Sequence, residues 1–168
     1  MNNQDVTICL TNPKSPSNVG AILRAAGCYN IPALLYTGNR YNKAKKHATD
    51  TQNVGNEISV THVESFLESK PDDVKLVCID FVEGAVPLPI FEHPEKAFYV
   101  FGPEDGSLKQ DIVDQADFVV YMPTNGSLNL AAAANVVLYD RAAKAFSGHD
   151  DDLIRKSRDV NNRLKVPA

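Results

Sequence analysis

The runs KLVCID (residues 75–80), AFYVF (97–101) and FVVYM (118–122) are apolar at nearly every position, with no alternation of polar residues. A strand with one face in water alternates; a strand covered on both faces reads as a continuous apolar run. Further strand candidates are Val6–Thr11, Ala33–Tyr36 and Ile58–Thr61. Helical patterns fall between them at about Asn18–Tyr29, Lys43–Ala48, Val63–Ser69, Ser107–Gln115 and Leu128–Phe146. This alternation predicts an α/β, mainly parallel, three-layer domain. Ligands of such sheets bind beyond the carboxyl ends of the strands. Three loops there stand out: Asn12–Gly20, Gly102–Leu108 and Pro123–Asn129.

The 168 residues correspond to about one domain. With 43% hydrophobic and 23% charged residues and a mean hydropathy of −0.24, the composition is that of a globular protein, not a disordered or membrane chain. MNNQDVTICL lacks a basic flank followed by a long apolar run, so the expected location is the cytoplasm. Cys9, Cys28 and Cys78 are odd in number, lack CxxC spacing and sit among apolar neighbours, which predicts buried thiols. The four histidines form no HxH or HxxxH pair, and no metal is expected. The net charge of −4 weighs against a nucleic-acid partner, because phosphate binding usually leaves a basic footprint.

In NPKSPSNVGAILRAAG (12–27), Val19, Ile22, Leu23 and Ala26 form a core-facing stripe, and Ser17 or Asn18 can cap the helix. Gly20 and Gly27 flank Arg24 on another face. They suggest either a close-packed site presenting the arginine or a solvated surface helix. AFYVFGPEDGSL (97–108) runs from a strand into a glycine-rich turn that exposes main-chain groups, and it lacks the GxxxxGK[ST] phosphate loop. Glu104 and Asp105 there suit a neutral or cationic ligand, or cap the next helix. In FVVYMPTNGSLNLAAAANVVLYDR (118–141), Ser127 can cap an almost wholly apolar helix, buried against the sheet and against another subunit. Asn129, in its first turn, must find hydrogen-bond partners. After Gly148 the chain turns polar and reads as a tail or peripheral helix, giving a domain over 1–147 and a tail over 148–168.

In this order, Asn18-x-Gly20-x-x-x-Arg24, Gly102-Pro103-Glu104-x-Gly106 and Met122-Pro123-x-x-x-Ser127-Leu128-Asn129 resemble the SPOUT superfamily of RNA methyltransferases. In particular they resemble its SpoU or TrmH-like branch, which methylates ribose 2′-hydroxyls of tRNA or rRNA. The resemblance implies a C-terminal trefoil knot, S-adenosylmethionine bound within it, and a homodimer formed through knot-region helices. It implies catalytic roles for Arg24, Asn18, Glu104, Ser127 and Asn129. It places the cofactor against Asp80, Phe101, Gly102, Pro103, Glu104, Gly106, Met122, Ser127 and Leu128. Two positions depart from the family pattern: Gly106 follows Glu104 by two residues where many relatives have three, and Ala131 stands where a second serine is common.

Larger relatives attach an RNA-binding domain, for which this length leaves no room, so the catalytic domain itself is expected to grip the RNA. NRYNKAKKH (39–47) is the best candidate surface, with Arg40, Lys43, Lys45 and Lys46 basic and Tyr41 able to stack on a base. Lys14, Arg24 and the tail's Arg155, Lys156, Arg158 and Arg163 add to it. Short relatives without appendages often act on tRNA, which makes tRNA the first expected substrate and rRNA the second. No membrane partner is expected.

Overall fold

The computed structural model describes residues 3–45, 58–148 and 151–166. Among these, seven parallel strands form one sheet: β1 (Val6–Leu10), β2 (Ala33–Tyr36), β3 (Ser59–His62), β4 (Lys75–Ile79), β5 (Val86–Pro87), β6 (Ala97–Phe101) and β7 (Phe118–Tyr121). Their order across the sheet is β3-β2-β1-β6-β4-β7-β5, and every pairing is parallel. The helices are α1 (Pro16–Cys28), α2 (Arg40–Lys45), α3 (Phe66–Ser69), α4 (Gln110–Val113), α5 (Leu130–Ala145) and α6 (Asp151–Ser157).

The continuous apolar runs are explained by two cores, one on each side of the sheet. Val6, Ile8 and Leu10, with Val77, Ile79, Tyr99 and Phe101, face Val19, Ile22 and Ala26 of α1 and Ala134, Val137 and Leu138 of α5. Their strand neighbours Cys9, Leu76, Cys78, Phe98 and Val100 face Phe66 of α3, with Leu108 and Ile112 packed against them. Successive strand residues point to opposite faces, so two covers require apolar residues at every position.

Several local expectations are corrected. The N-cap of α1 is Ser15, not Ser17 or Asn18: its side chain accepts from Asn18 N, and Pro16 occupies the first turn, where a missing N–H costs nothing. The N-cap of α5 is Asn129, not Ser127; its side-chain oxygen accepts from the N–H groups of Ala131 and Ala132. α4 begins only at Gln110, because Asp80 holds the Leu108 N–H at 2.8 Å outside the helix. β5 had no sequence signal: it is two residues long at the sheet edge, where proline's missing N–H is tolerated. Cys9 and Cys78 are buried, and burial followed by the Asp80 charge pushes the Cys78 thiol up to about 12. Cys28, expected to be buried, is exposed on α1.

α5 is not buried on all sides within one chain. Val136 and the 66%-exposed Tyr139 leave an apolar stripe facing outward, while the inward face meets α1 and the sheet. Its last turns carry a polar network away from the functional loops. Buried Arg141 donates to Asn3 Oδ1, the Pro94 and Glu95 carbonyls and the Tyr99 hydroxyl. His93 lies between that hydroxyl (2.6 Å) and Asp140 (2.9 Å). α6 is exposed along its length, as a peripheral helix would be. No helix among the described residues is long and apolar enough to cross a membrane.

Candidate active site

The chain leaves β1 toward β2 on one side and leaves β6 toward β7 on the other, although β1 and β6 are neighbours. The crevice at their carboxyl ends is therefore a topological switch point, the usual ligand position in such sheets. All strands being parallel, the loops after β1, β4, β6 and β7 emerge at this same end.

Glu104, in the loop after β6, reaches across the switch point. Its Oε2 accepts from Lys14 N at 2.8 Å, and its Oε1 accepts from Ser15 N at 3.1 Å and Asn18 Nδ2 at 3.2 Å. Asn18 Oδ1 in turn accepts from Asn129 Nδ2 at 3.1 Å. Glu104, Asn18 and Asn129 lie 86 and 111 residues apart along these two contacts, yet form one hydrogen-bonded chain that fixes three loops. Burial resists ionisation of Glu104, but the donors of Lys14, Asn18 and Ser15 outweigh it and hold its carboxyl below the usual range. Glu104 is thus an ionised brace with both carboxylate oxygens engaged.

A second fastening ties the loop after β4 to that after β6. Asp80 Oδ2 accepts from Leu108 N and Oδ1 from Phe81 N, each at 2.8 Å. A Cβ on Gly102 would lie 3.3 Å from Asp80 Oδ2 and 3.4 Å from Leu108 N, so the main chain passes there with little room. Phe81 and Leu128 are exposed apolar side chains, and Met122 packs partly against the core. The Phe101 side chain is itself buried.

A third cluster was not anticipated. Asp105 receives both Arg40 and Lys14, and the Arg40 hydrogen bond foremost holds its carboxyl below the usual range. A cleft of about 660 Å³ opens alongside; it is lined by Arg40, Asp105, Thr37, Phe66, Pro103 and Thr11, whose Oγ1 is buried without a hydrogen-bond partner among the described residues.

Other expected site residues stand apart. Arg24 is exposed, six residues along α1 from Asn18 and so about 9 Å up the helix axis. No hydrogen bond or ion pair of its side chain is found among the described residues. Among the described residues nothing packs within 4 Å of a Cβ on Gly20, and at Gly27 Ile58 Cδ1 approaches at 3.8 Å, so these residues do not close-pack the flanking glycines. Ser127 is exposed. Tyr41 is buried, edge-on to Tyr36 at 5.1 Å, and is not available to stack on a base as expected. Lys43 is exposed on α2; Lys46 and the side chain of Lys45 lie outside the described residues. Among the described residues no group of three His, Cys, Asp or Glu side chains is placed to hold a metal ion.

This constellation has a family match over most of the chain: residues 5–139 fit the model of the SpoU rRNA Methylase family. The chain belongs to that family. It is 29% identical over 148 residues to the 23S rRNA (guanosine-2'-O-)-methyltransferase RlmB of Acinetobacter baylyi, and the match spans 83% of this chain and 60% of that relative. Among solved structures, the A. aeolicus TrmH/SpoU tRNA modifying enzyme superposes with a TM-score of 0.73 at 23% identity, covering 84% of this chain and 75% of its own. A structure from work on the 2-OH methylation of C/U34 on tRNA gives 0.72 at 22% identity, covering 86% and 92%. The SpoU methyltransferase AviRb of Streptomyces viridochromogenes, solved with AdoMet, gives 0.70 at 21%, covering 89% and 61%. At these identities the structures show a shared fold. The glutamate and asparagines of this SpoU family chain are the three side chains of the hydrogen-bonded brace; its motif arginine lies outside it.

Proposed function

We propose that this chain is an S-adenosylmethionine-dependent RNA 2′-O-ribose methyltransferase, with tRNA the first candidate substrate and rRNA the second. The observation that carries the reading is the Glu104–Asn18–Asn129 chain, which joins the three motifs at the switch point of the sheet. The RlmB likeness and the tRNA 2-OH methylation likeness support the reaction class, and the AdoMet complex of AviRb supports the cofactor.

The residues present suit that cofactor. The tight passage at Gly102 leaves main-chain groups of residues 102–106 as hydrogen-bonding partners for a purine, and Met122 and Leu128 supply apolar contact. When bound, S-adenosylmethionine supplies an electrophilic methyl group on a sulfonium. The chain's own task is alignment, because in-line transfer to a hydroxyl needs both reacting atoms held in place. Asn18 and Asn129 hold the loop after β1 and the start of α5 in register, Glu104 locks both to the loop after β6, and Ser127 stands at the open edge. Arg24, always charged, orients the ribose and its phosphate and stabilises developing negative charge rather than acting as a free base.

The reading includes the knot and the dimer. β7 lies between β4 and β5, so residues 80–85 pass from one side of β7 to the other, and residues 122–129 must leave past them to reach α5; this supports threading. The outward stripe of α5 beside the exposed face of α1 supports a homodimer that covers both and carries Arg24 to a site. Residues 1–147 form the working unit and 148–168 its periphery.

The test incubates purified protein with labelled S-adenosylmethionine and unmodified tRNA or rRNA, then digests the RNA to nucleosides. A labelled 2′-O-methyl nucleoside is expected. Cofactor binding with no transfer to either RNA would leave a non-catalytic RNA-binding protein as the better reading.

A further inference from the structure

Arg40 is held more firmly than a surface arginine needs to be. Its Nη1 donates to both oxygens of Asp105, at 2.8 and 2.9 Å, and its Nε donates to the Asn12 carbonyl at 2.8 Å, as does Nη2. That carbonyl is aimed by a left-handed residue: Asn12 has φ +42. The turn is backed by Gly38, itself at φ +70, where a Cβ would lie 2.3 Å from Asn12 Oδ1, so only glycine fits. Lys14 joins the same carboxylate at 3.4 Å, and its main-chain N–H is fixed by Glu104. Half-exposed ion pairs contribute little to stability, and a non-glycine residue in the left-handed region is uncommon. Stability alone does not account for the arrangement.

We propose that Asp105 is a positioning residue that gathers Lys14 and Arg40 into a two-cation seat for one phosphodiester of the RNA beside the target ribose. The cations come from separate elements, Lys14 from the loop after β1 and Arg40 from the start of α2. They stay open to solvent, at 51% and 30% exposure, beside a 48%-exposed Asp105. With Asp105 and the neighbouring ionised Glu104, the two cations leave this corner of the site locally neutral on a chain whose net charge is −4. Donors remain: of an ammonium's three and a guanidinium's five, Lys14 has spent one and Arg40 no more than four. The seat lies one residue from Glu104, which holds Asn18, so a phosphate bound there sets the distance of the adjoining ribose to the braced loops. Holding long side chains in place beforehand lowers the ordering cost of binding. Asp105 gives up some general attraction for RNA in exchange for geometry.

The inference takes its substrate from the RNA methyltransferase reading. In the full chain, Asp105→Asn is expected to lower kcat/KM for RNA about tenfold, as misplacement of a substrate does. Its affinity for non-cognate single-stranded RNA, measured by anisotropy, stays equal or tightens. Gly38→Ala, which keeps every charge but displaces Asn12, is expected to lower kcat/KM in the same way. In a Lys14→Ala/Arg40→Ala background, Asp105→Asn is expected to cost nothing further. An Asp105→Asn enzyme with unchanged or higher kcat/KM, or a loss that persists in that background, overturns the proposal. If the wild type methylates no RNA, the seat is read directly: the Arg40 Nε resonance is followed while a dinucleoside monophosphate, which holds one phosphodiester, is added. A shift in the wild type that is absent in Asp105→Asn supports the seat, and no shift in the wild type overturns it.

Discussion

Replacing Glu104 by glutamine tests the brace on which the site stands. The carboxylate accepts three N–H groups on two oxygens: Lys14 N on Oε2, and Ser15 N and Asn18 Nδ2 on Oε1. A glutamine keeps one acceptor oxygen and turns an NH₂ toward at least one of those donors. The smallest loss is one hydrogen bond to a charged group, worth about 1.5–3 kcal/mol. Because the site is only partly buried, water recovers some of this, and a destabilisation of about 2 kcal/mol is expected. For a domain of this size that lowers Tm by about 4–8 °C. The pH dependence has a definite sign. The folded carboxyl sits below its unfolded value of about 4.3, so the unfolded chain binds more protons there. The stabilisation is complete above that pH and is lost as pH falls through the folded value. Urea denaturation of wild type and Glu104→Gln should therefore differ by about 2 kcal/mol near pH 7 and converge as pH falls through the lowered folded value. A difference under about 0.5 kcal/mol at neutral pH, the level of an ordinary surface substitution, or a gap that persists into acid, refutes the reasoning.

Further outcomes follow from other sites. Burial foremost depresses the His93 pKa despite the opposing pull of Asp140, so the unfolded chain takes up the proton more readily. Stability should fall as pH drops below about 6.5, and urea midpoints at about pH 7.5 and 5.5 should differ less in His93→Gln than in wild type. Gly102→Ala crowds the Asp80–Leu108 hydrogen bond, and calorimetry with S-adenosylhomocysteine should show binding weakened about fivefold, the equivalent of one hydrogen bond. Val136→Asp places a charge in the outward stripe of α5; sedimentation should show it shifted toward monomer, with far-UV circular dichroism unchanged.

The architecture was legible because burial on two faces writes itself into composition: KLVCID and FVVYM admit no solvent side, and the sheet carries them at its centre and near one edge. Caps were harder. Ser15, Ser17 and Asn18 all suit an N-cap, and the choice was made by Pro16, whose fixed φ opens the helix two residues before a Ser17 cap would. The brace was half legible. Glu104, Asn18 and Asn129 carry motif spacing, but their mutual contacts depend on β1 and β6 being sheet neighbours, which no local pattern encodes. Tyr41 shows the reverse limit. It lies within a basic stretch, where an aromatic invites a stacking role, yet the ring turns into the core against Tyr36 because α2 packs that face on the sheet. Asp105 left no sequence signal as an ion-pair hub, since Lys14 and Arg40 lie 91 and 65 residues before it.

The most direct test of the central claim measures methyl transfer from labelled S-adenosylmethionine to unmodified tRNA and rRNA by wild type and Arg24→Ala in parallel, with cofactor binding measured in both. Arg24 is exposed and unbonded within the described chain, so its removal should leave stability within about 0.5 kcal/mol and cofactor affinity unchanged. The account predicts 2′-O-methyl nucleosides from the wild type and a rate at least about 100-fold lower from the variant. Equal rates in the two proteins would contradict the role of Arg24, and no transfer by a wild type that binds the cofactor would contradict the activity itself.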